Sequence, residues 1–246
     1  QTTRWRWHGN VKYKERTLEE KTKGIVIKSY DSGDRDKLIT IFTPQGLVCA
    51  KLKGVNSPLS KLKFAKQCFC FADFVFAPSK FPVVTSAYLI DSFYDLTKDY
   101  DRFDEASKIL RVAKPLMKEN EPNPDLFVAL LKSFKNLAYN NVQKNVVYAK
   151  FLLGLFYNQG YGFESEQCSN CGSILNETRY LNLSSGEVLC NFCKNQYNQK
   201  VTYGMNKVLK IIGQTDYDKL NTIKFSNQIL LDTLQLLLNN YTNVLI

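Results

Sequence analysis

The sequence predicts an α+β protein in which a small barrel of five strands precedes a helical domain that carries a four-cysteine zinc module. Five short β-rich segments with turn residues between them fill residues 23–94. Apolar side chains at spacings of three and four then mark the helices of residues 95–246. Within this helical part, two Cys-x-x-Cys pairs stand eighteen residues apart, which is a spacing typical of zinc sites.

The predicted barrel strands are rich in β-branched and aromatic residues, and turn-forming residues separate them. They cover residues 24–30, 37–43, 47–53, 68–76 and 83–93. Five short strands with turns between them favour a small closed barrel. The OB-fold is the most common barrel of this kind that also binds single-stranded nucleic acid, so we expect that fold here.

The helical part is predicted from end signals and apolar spacing. Asn123 is the expected N-cap of one helix, with Pro124 at its first position. Leu126, Leu130 and Phe134 then follow at helical spacing and indicate one buried face. The other predicted helices run from Asp101 or Asp104 to Met117, and over residues 142–157, 206–212 and 226–240.

Residues 1–22 differ in character from the rest of the chain. They mix Trp5, Trp7 and several basic residues without a clear period. We interpret them as an extension: a disordered basic arm, an artefact of expression or a mistranslated upstream segment. Their aromatic and basic side chains would also allow contact with nucleic acid.

The composition limits the function. The net charge of +10 favours a polyanionic partner, although it also serves solubility, and it does not choose between DNA, RNA and anionic lipid. No apolar run is long enough to span a bilayer, and the N-terminus carries no secretion signal, so we expect a cytoplasmic protein without a membrane partner. Its seven cysteines then favour a metal site over disulfides.

The two cysteine pairs are Cys168 with Cys171 and Cys190 with Cys193. We expect them to hold one structural zinc per chain, because the only histidine, His8, lies in the extension and a closed four-thiolate site leaves no position for water. The deaminase pattern is absent, as are a phosphate-binding P-loop and a nucleophile with a base. The sequence therefore predicts a protein that is not an enzyme.

A basic loop over residues 51–66 contains five lysines and no acid. Flexible basic loops on barrels commonly follow a phosphate backbone, and Phe64 and Phe69 are candidates either for stacking or for the core. The alternative is that the loop is only solvated. In that case the DNA strand would run elsewhere, over Lys194, Lys200, Lys207 and Lys210. The candidate DNA-binding residues, including three on the first two strands, are Lys28, Arg35, Lys37, Lys51, Lys53, Lys61, Lys63 and Lys66.

The sequence resembles the bacterial RecO family over residues 23–240. The opening block from Lys23 to Gly54 carries the resemblance, together with the lysine-rich loop that follows it and the strand Val83–Phe93. The helix start at Asn123, the Gly-Tyr-Gly-Phe run and the two cysteine pairs then occur in the order typical of that family. The extension over residues 1–22 is the one departure.

The resemblance implies an OB-fold, a helical domain and a zinc module at about residues 164–197. It also implies a bacterial, nucleoid-associated recombination mediator that binds single- and double-stranded DNA and anneals complementary strands. With its partner RecR, such a protein helps to load RecA onto DNA coated by single-strand-binding protein. An RNA- or ribosome-binding protein is the alternative, since an OB-fold beside a zinc module also serves RNA.

By the same resemblance, the helical domain holds a groove for the acidic C-terminal peptide of single-strand-binding protein. Such a groove needs an apolar slot beside cations that accept carboxylates. The cations also suit plain solvation of the helix faces, and sequence alone does not choose among them. The candidates are Lys108, Arg111, Lys114, Lys132 and Lys135.

Overall fold

The computed structural model describes residues 5–8, 11–14, 20–77, 81–161, 165–175, 178–182 and 185–244, the first two ranges by their backbone alone. The chain forms two compact units. The first comprises residues 1–94 and 116–127, and the second comprises residues 95–115 and 128–246. The predicted fold class is confirmed, since a closed five-stranded barrel precedes a helical region.

The N-terminal segment contains two short strands, β1 (Trp5–His8) and β2 (Val11–Lys14), which pair with each other in antiparallel fashion. A disordered arm is one of the three sequence-based interpretations of this segment, and the sequence does not predict these paired strands. The remaining residues before Glu20 lie outside the described ranges. The first barrel strand begins at Glu20 and so includes three residues that the sequence places in the extension.

The barrel strands are β3 (Glu20–Ser32), β4 (Asp36–Thr43), β5 (Gly46–Leu52), β6 (Phe71–Ala77) and β7 (Val83–Asp91). They close in the order β3-β4-β5-β7-β6. Every pairing is antiparallel except that between β5 and β7. This crossed order of a five-stranded Greek-key barrel is the OB-type arrangement that the sequence predicts.

Strand β6 shows how the barrel core is built. Its residues alternate, so that Ala72, Phe74 and Phe76 are buried inside the barrel. The strand begins at Phe71, three residues later than predicted, because Phe69 has a φ of 69° and breaks the extended run. The Phe69 amide instead donates to the Val26 carbonyl at 2.8 Å, beside the bulge in β3.

Residues 116–127 belong to the first unit although they follow a helical stretch. The Leu47 amide donates to the Lys118 carbonyl at 2.9 Å, and the Phe127 ring lies 5.9 Å from that of Phe42. Gly46 has a φ of 113°, and a Cβ there would lie 2.6 Å from the Lys118 carbonyl oxygen. Only glycine fits this close approach, which no local pattern in residues 116–127 reveals.

The second unit is built from helices, which lie close to the predicted ranges. The main helices that lie wholly within this unit are α2 (Tyr100–Ala113), α4 (Lys144–Asn158), α5 (Tyr203–Gln214) and α6 (Asn227–Val244). The central helix is α4, since nine of its fifteen residues are buried and it packs against the other three. A short helix, α1 (Tyr94–Lys98), precedes α2, and 3-10 turns cover Lys114–Leu116 and Tyr217–Thr222.

Helix α3 (Pro124–Tyr139) starts as predicted, because the Asn123 side chain accepts a hydrogen bond from the Leu126 amide at 3.1 Å. Helix α2 differs in its cap. Asp99, rather than Asp101 or Asp104, accepts from the Arg102 amide at 3.1 Å. In the part of the chain that the structure describes, no helix combines the length and the apolar character needed to cross a membrane.

Candidate metal centre and nucleic-acid interface

The two cysteine pairs are brought together by a small antiparallel sheet. Its strands are β8 (Arg179–Leu181), β9 (Val188–Leu189) and β10 (Gln199–Val201), in the order β10-β8-β9. The Ser169 amide donates to the Val188 carbonyl at 2.9 Å, which fixes the first pair beside the strand that leads into the second. The spacer between the pairs therefore folds back on itself.

The four thiols form one cluster. The sulfurs of Cys168, Cys171, Cys190 and Cys193 all lie within 4.8 Å of one another, and those of Cys171 and Cys190 are 3.8 Å apart. With metal–sulfur bonds of about 2.3 Å, the sulfurs of a regular tetrahedron lie about 3.8 Å apart. The cluster therefore fits a four-coordinate metal ion, and no carboxylate or imidazole belongs to it.

The first knuckle stabilises a thiolate. The Gly172 amide donates to the Cys168 carbonyl at 2.9 Å, and Gly172 takes a left-handed conformation with a φ of 70°. A hydrogen bond from the Cys171 amide is the largest of the effects that lower the pKa of Cys168 to about 6, against the opposing effect of burial. The Cys190 amide, 3.3 Å from the Cys168 sulfur, acts in the same direction. A thiolate is the form that binds metal.

The basic loop is shaped by two aspartates of the barrel. Asp36 accepts from the Gly54 amide at 2.8 Å and pairs with Lys51 at 2.9 Å, and Asp31 pairs with Lys37 at 2.9 Å. The Gly54 amide is the main cause of the lowered pKa of Asp36, while the Lys37 ammonium has that effect on Asp31. Two of the predicted DNA-binding lysines are therefore already paired with aspartates: Lys51 beside the start of the loop, and Lys37 between strands β4 and β3.

The remaining predicted DNA-binding residues differ in their exposure. Lys66 is half-buried and donates to the Asn56 side chain at 3.1 Å, whereas the other side chains are exposed. Phe69 is 2% exposed and belongs to the core, and the half-buried Phe64 packs against the barrel core, so the core alternative is favoured for both. The exposed cations of this set are Lys28, Arg35, Lys53, Lys61 and Lys63.

The five predicted peptide-binding cations are not gathered into one pocket of the described residues. Lys108 pairs with Asp104 at 2.8 Å, and the Lys132 ammonium lies 5.9 Å from the centre of the Tyr217 ring. Arg111 and Lys135 are exposed, and Lys114 is half-buried.

Lys108 lines an open cleft of about 310 Å³ together with Asp101, Asp104 and Glu105. Burial raises the pKa of the Glu105 carboxyl, although Lys108 opposes that shift. A cleft with three carboxylates does not suit an acidic peptide, because like charges would meet there. Of the five predicted cations, only Lys108 lines this cleft, so it is not the expected groove.

The zinc module also exposes large apolar side chains that the sequence reasoning missed. Phe192 is 95% exposed, Tyr197 is 79% exposed and Ile174 is 73% exposed. The signal that the sequence offers is the position of a large apolar residue, Phe192, between the two cysteines of one pair.

The barrel, the helices and the clustered thiols define a class of protein in which an OB-type barrel is followed by a helical domain with a four-cysteine metal module. The family model described as "Recombination protein O N terminal" matches residues 18–93, and that described as "Recombination protein O C terminal" matches residues 97–245. The chain belongs to the RecO family of DNA repair proteins.

Individual relatives agree with this assignment, and each bears the name DNA repair protein RecO. The protein of Clostridium novyi is 31% identical over 211 residues, which are 85% of this chain and 82% of that protein. The protein of Acetivibrio thermocellus is 29% identical over 214 residues, or 85% of each chain. That of Caldicellulosiruptor saccharolyticus is 26% identical over 228 residues, covering 92% of this chain and 93% of that one.

The cysteine cluster leads to a prediction about metal content and stability. We expect one zinc per chain, lost in Cys171→Ser, because soft thiolates in a tetrahedral set select zinc and each thiolate contributes to its binding. Where free zinc exceeds the dissociation constant a thousandfold, losing the ion costs about 4 kcal/mol of stability. Elemental analysis and thermal unfolding measure both quantities.

The matched control is Cys49→Ser, which removes an exposed thiol outside the cluster. This variant should keep its zinc and its unfolding temperature. Native protein without zinc would contradict the prediction, and so would a Cys171→Ser variant that retains a full equivalent of tightly held metal.

Proposed function

We propose that this RecO-family chain is a non-enzymatic recombination mediator of the bacterial cytoplasm and nucleoid. In this role it binds single- and double-stranded DNA, anneals complementary strands and, with RecR, helps to load RecA onto DNA coated by single-strand-binding protein. The observation that carries the DNA-binding part is the exposed row of Lys53, Lys61 and Lys63 on a barrel loop that contains no acid over residues 51–66. A net charge of +10 supports the same ligand.

The ion pairs at the base of the loop divide its lysines into two groups. Lys37 and Lys51 neutralise Asp31 and Asp36, and the Asp36 carboxylate also accepts from the Gly54 amide at the start of the loop. Lys53, Lys61 and Lys63 lie further out with exposed side chains, although the Lys63 ammonium also donates to the Pro58 carbonyl at 2.6 Å. Exposed ammonium groups that contact phosphates release condensed counterions from DNA, so these three provide the phosphate contacts. Lys28 and Arg35, also exposed, extend the contact surface on the same unit.

The first functional prediction is that Lys53→Glu, Lys61→Glu and Lys63→Glu together weaken DNA binding alike for all sequences. Each lost phosphate contact should lower the slope of log affinity against log salt by about 0.7 on a single strand, so three lower it by about 2. Fluorescence anisotropy of a labelled oligonucleotide over a salt series gives this slope.

The control changes charge to the same extent elsewhere, through Lys98→Glu, Lys219→Glu and Lys224→Glu, all at exposed positions. Its salt slope should stay near that of the unaltered protein. Normal binding by the loop variant at moderate salt would contradict the proposed path. Tighter binding of an RNA oligonucleotide than of DNA with the same sequence would instead favour an RNA-binding function.

We also propose that the helical unit binds the acidic C-terminal peptide of single-strand-binding protein. Arg111 and Lys135 are the best candidates among the five cations, since both are exposed and neither has a described ion pair. Lys108 is the weakest candidate, because Asp104 and Glu105 already neutralise it. A guanidinium binds a carboxylate in a bidentate manner, which favours Arg111 for the terminal carboxylate.

The second functional prediction concerns this peptide. A short acidic peptide ending in Phe should bind in a salt-sensitive manner, and removal of its terminal Phe should abolish binding. Arg111→Ala should weaken binding more than Lys108→Ala, because the Lys108 ammonium is already paired with acidic side chains. Calorimetric titration measures both. If the peptide without its terminal Phe binds saturably with the same affinity as the full peptide, charge attraction alone explains the interaction, and the groove is excluded.

A further inference from the structure

The second cysteine knuckle presents an aromatic ring to solvent at a fixed place. Phe192 lies between Cys190 and Cys193, the two ligands that this knuckle contributes to the cluster, and 95% of its surface is exposed. Tyr197 follows five residues later and is 79% exposed. Single exposed apolar residues are ordinary, but two large aromatic side chains so close on one small module indicate a binding surface.

The exposure does not come from a loosely held chain. The Lys194 amide donates to the Cys190 carbonyl at 3.1 Å and closes the knuckle. The Tyr197 amide donates to the Asn195 side chain at 2.9 Å, and strand β10 then pairs with β8 from Gln199 onward. The backbone that carries both rings is therefore held by hydrogen bonds on each side, and a ligand would meet an already ordered surface.

The charge around these rings is positive. Residues 188–201 contain two lysines and no acid. The Lys194 ammonium lies 4.1 Å from the centre of the Tyr180 ring and donates to the Tyr180 hydroxyl at 2.9 Å. The Tyr180 hydroxyl in turn donates to the Asn191 side chain at 3.2 Å, next to Phe192. Lys194 is thus fixed beside the knuckle, and Lys200 is exposed on β10.

A flat apolar ring beside ordered cations suits a ligand with flat apolar groups on a negatively charged backbone. Unpaired nucleobases stack on aromatic side chains whatever their sequence, and adjacent lysines contact the phosphates. A duplex keeps its bases stacked inside, so the ring would gain nothing from it. The surface therefore fits a single strand.

We propose that the second knuckle is a base-stacking site for single-stranded DNA, with Phe192 as the stacking platform and Lys194 and Lys200 as phosphate contacts. This inference rests on the proposed DNA-binding function and adds a second contact surface to the basic loop of the barrel. The metal cluster contributes by fixing the position of the knuckle and takes no part in the contact itself. Tyr197 is a further stacking position on the same segment.

The test compares Phe192→Ala with Ile174→Ala, which removes another exposed apolar side chain of the same module but no aromatic face. The probes are a labelled oligothymidylate and an abasic strand of equal length, which keeps the phosphates and lacks the bases. Phe192→Ala should weaken oligothymidylate binding by roughly fivefold to a hundredfold. Its affinity for the abasic strand and its salt slope should not change.

Folding is checked in the same samples, since both variants should keep the zinc content and unfolding temperature of the unaltered protein. Phe192→Trp should restore binding because it keeps a stacking face. If Phe192→Ala binds oligothymidylate as tightly as the unaltered protein does, the inference is overturned. The proposed function stays intact in that case, because the unaltered protein still binds DNA. An equal loss with Ile174→Ala, or an equal loss on the abasic strand, would also overturn it. An unaltered protein that fails to bind either strand would instead contradict the proposed function.

Discussion

Four thiols held within 4.8 Å of one another form the constraint on which the cysteine module depends. Metal-binding thiolates so close together repel strongly, and only a cation among them makes the arrangement favourable. The sheet around them has strands of two or three residues, which are too short to be stable alone. We therefore expect metal binding to supply much of the folding free energy of the module and to fix the position of Phe192.

In the barrel, negative charges are neutralised by lysine side chains and not by a metal ion. Asp36 pairs with Lys51 and accepts from the Gly54 amide, which holds the start of the basic loop against the barrel. Lys53, Lys61 and Lys63 have exposed side chains, and we propose them as the phosphate contacts. Lysines of one loop thus have two uses, since Lys51 pairs with an aspartate and these three face solvent. The proposed function assigns the electrostatic contact to the loop and the stacking contact to the knuckle, and these are the two elements of sequence-tolerant binding to single strands.

Features set by local spacing were predictable from the sequence. The barrel strands, the cap at Asn123 and the full cysteine set depend on neighbours in the chain, and the structure agrees with them. Features set by distant contacts were not. The pairing of Lys51 with Asp36 and the close approach of Lys118 to Gly46 depend on tertiary packing. The burial of Phe69, with its positive φ, likewise cannot be read from a pattern that suggests a continuous strand.

The central claim is that this RecO-family chain binds single-stranded DNA through ordered surfaces on its barrel and its cysteine module. Hydrogen–deuterium exchange of the zinc-loaded full chain, with and without a saturating oligothymidylate, tests it most directly. The account predicts slower amide exchange over residues 53–63 and 190–200 in the complex. Saturated binding that leaves both segments unchanged and slows exchange only in other parts of the chain would contradict it.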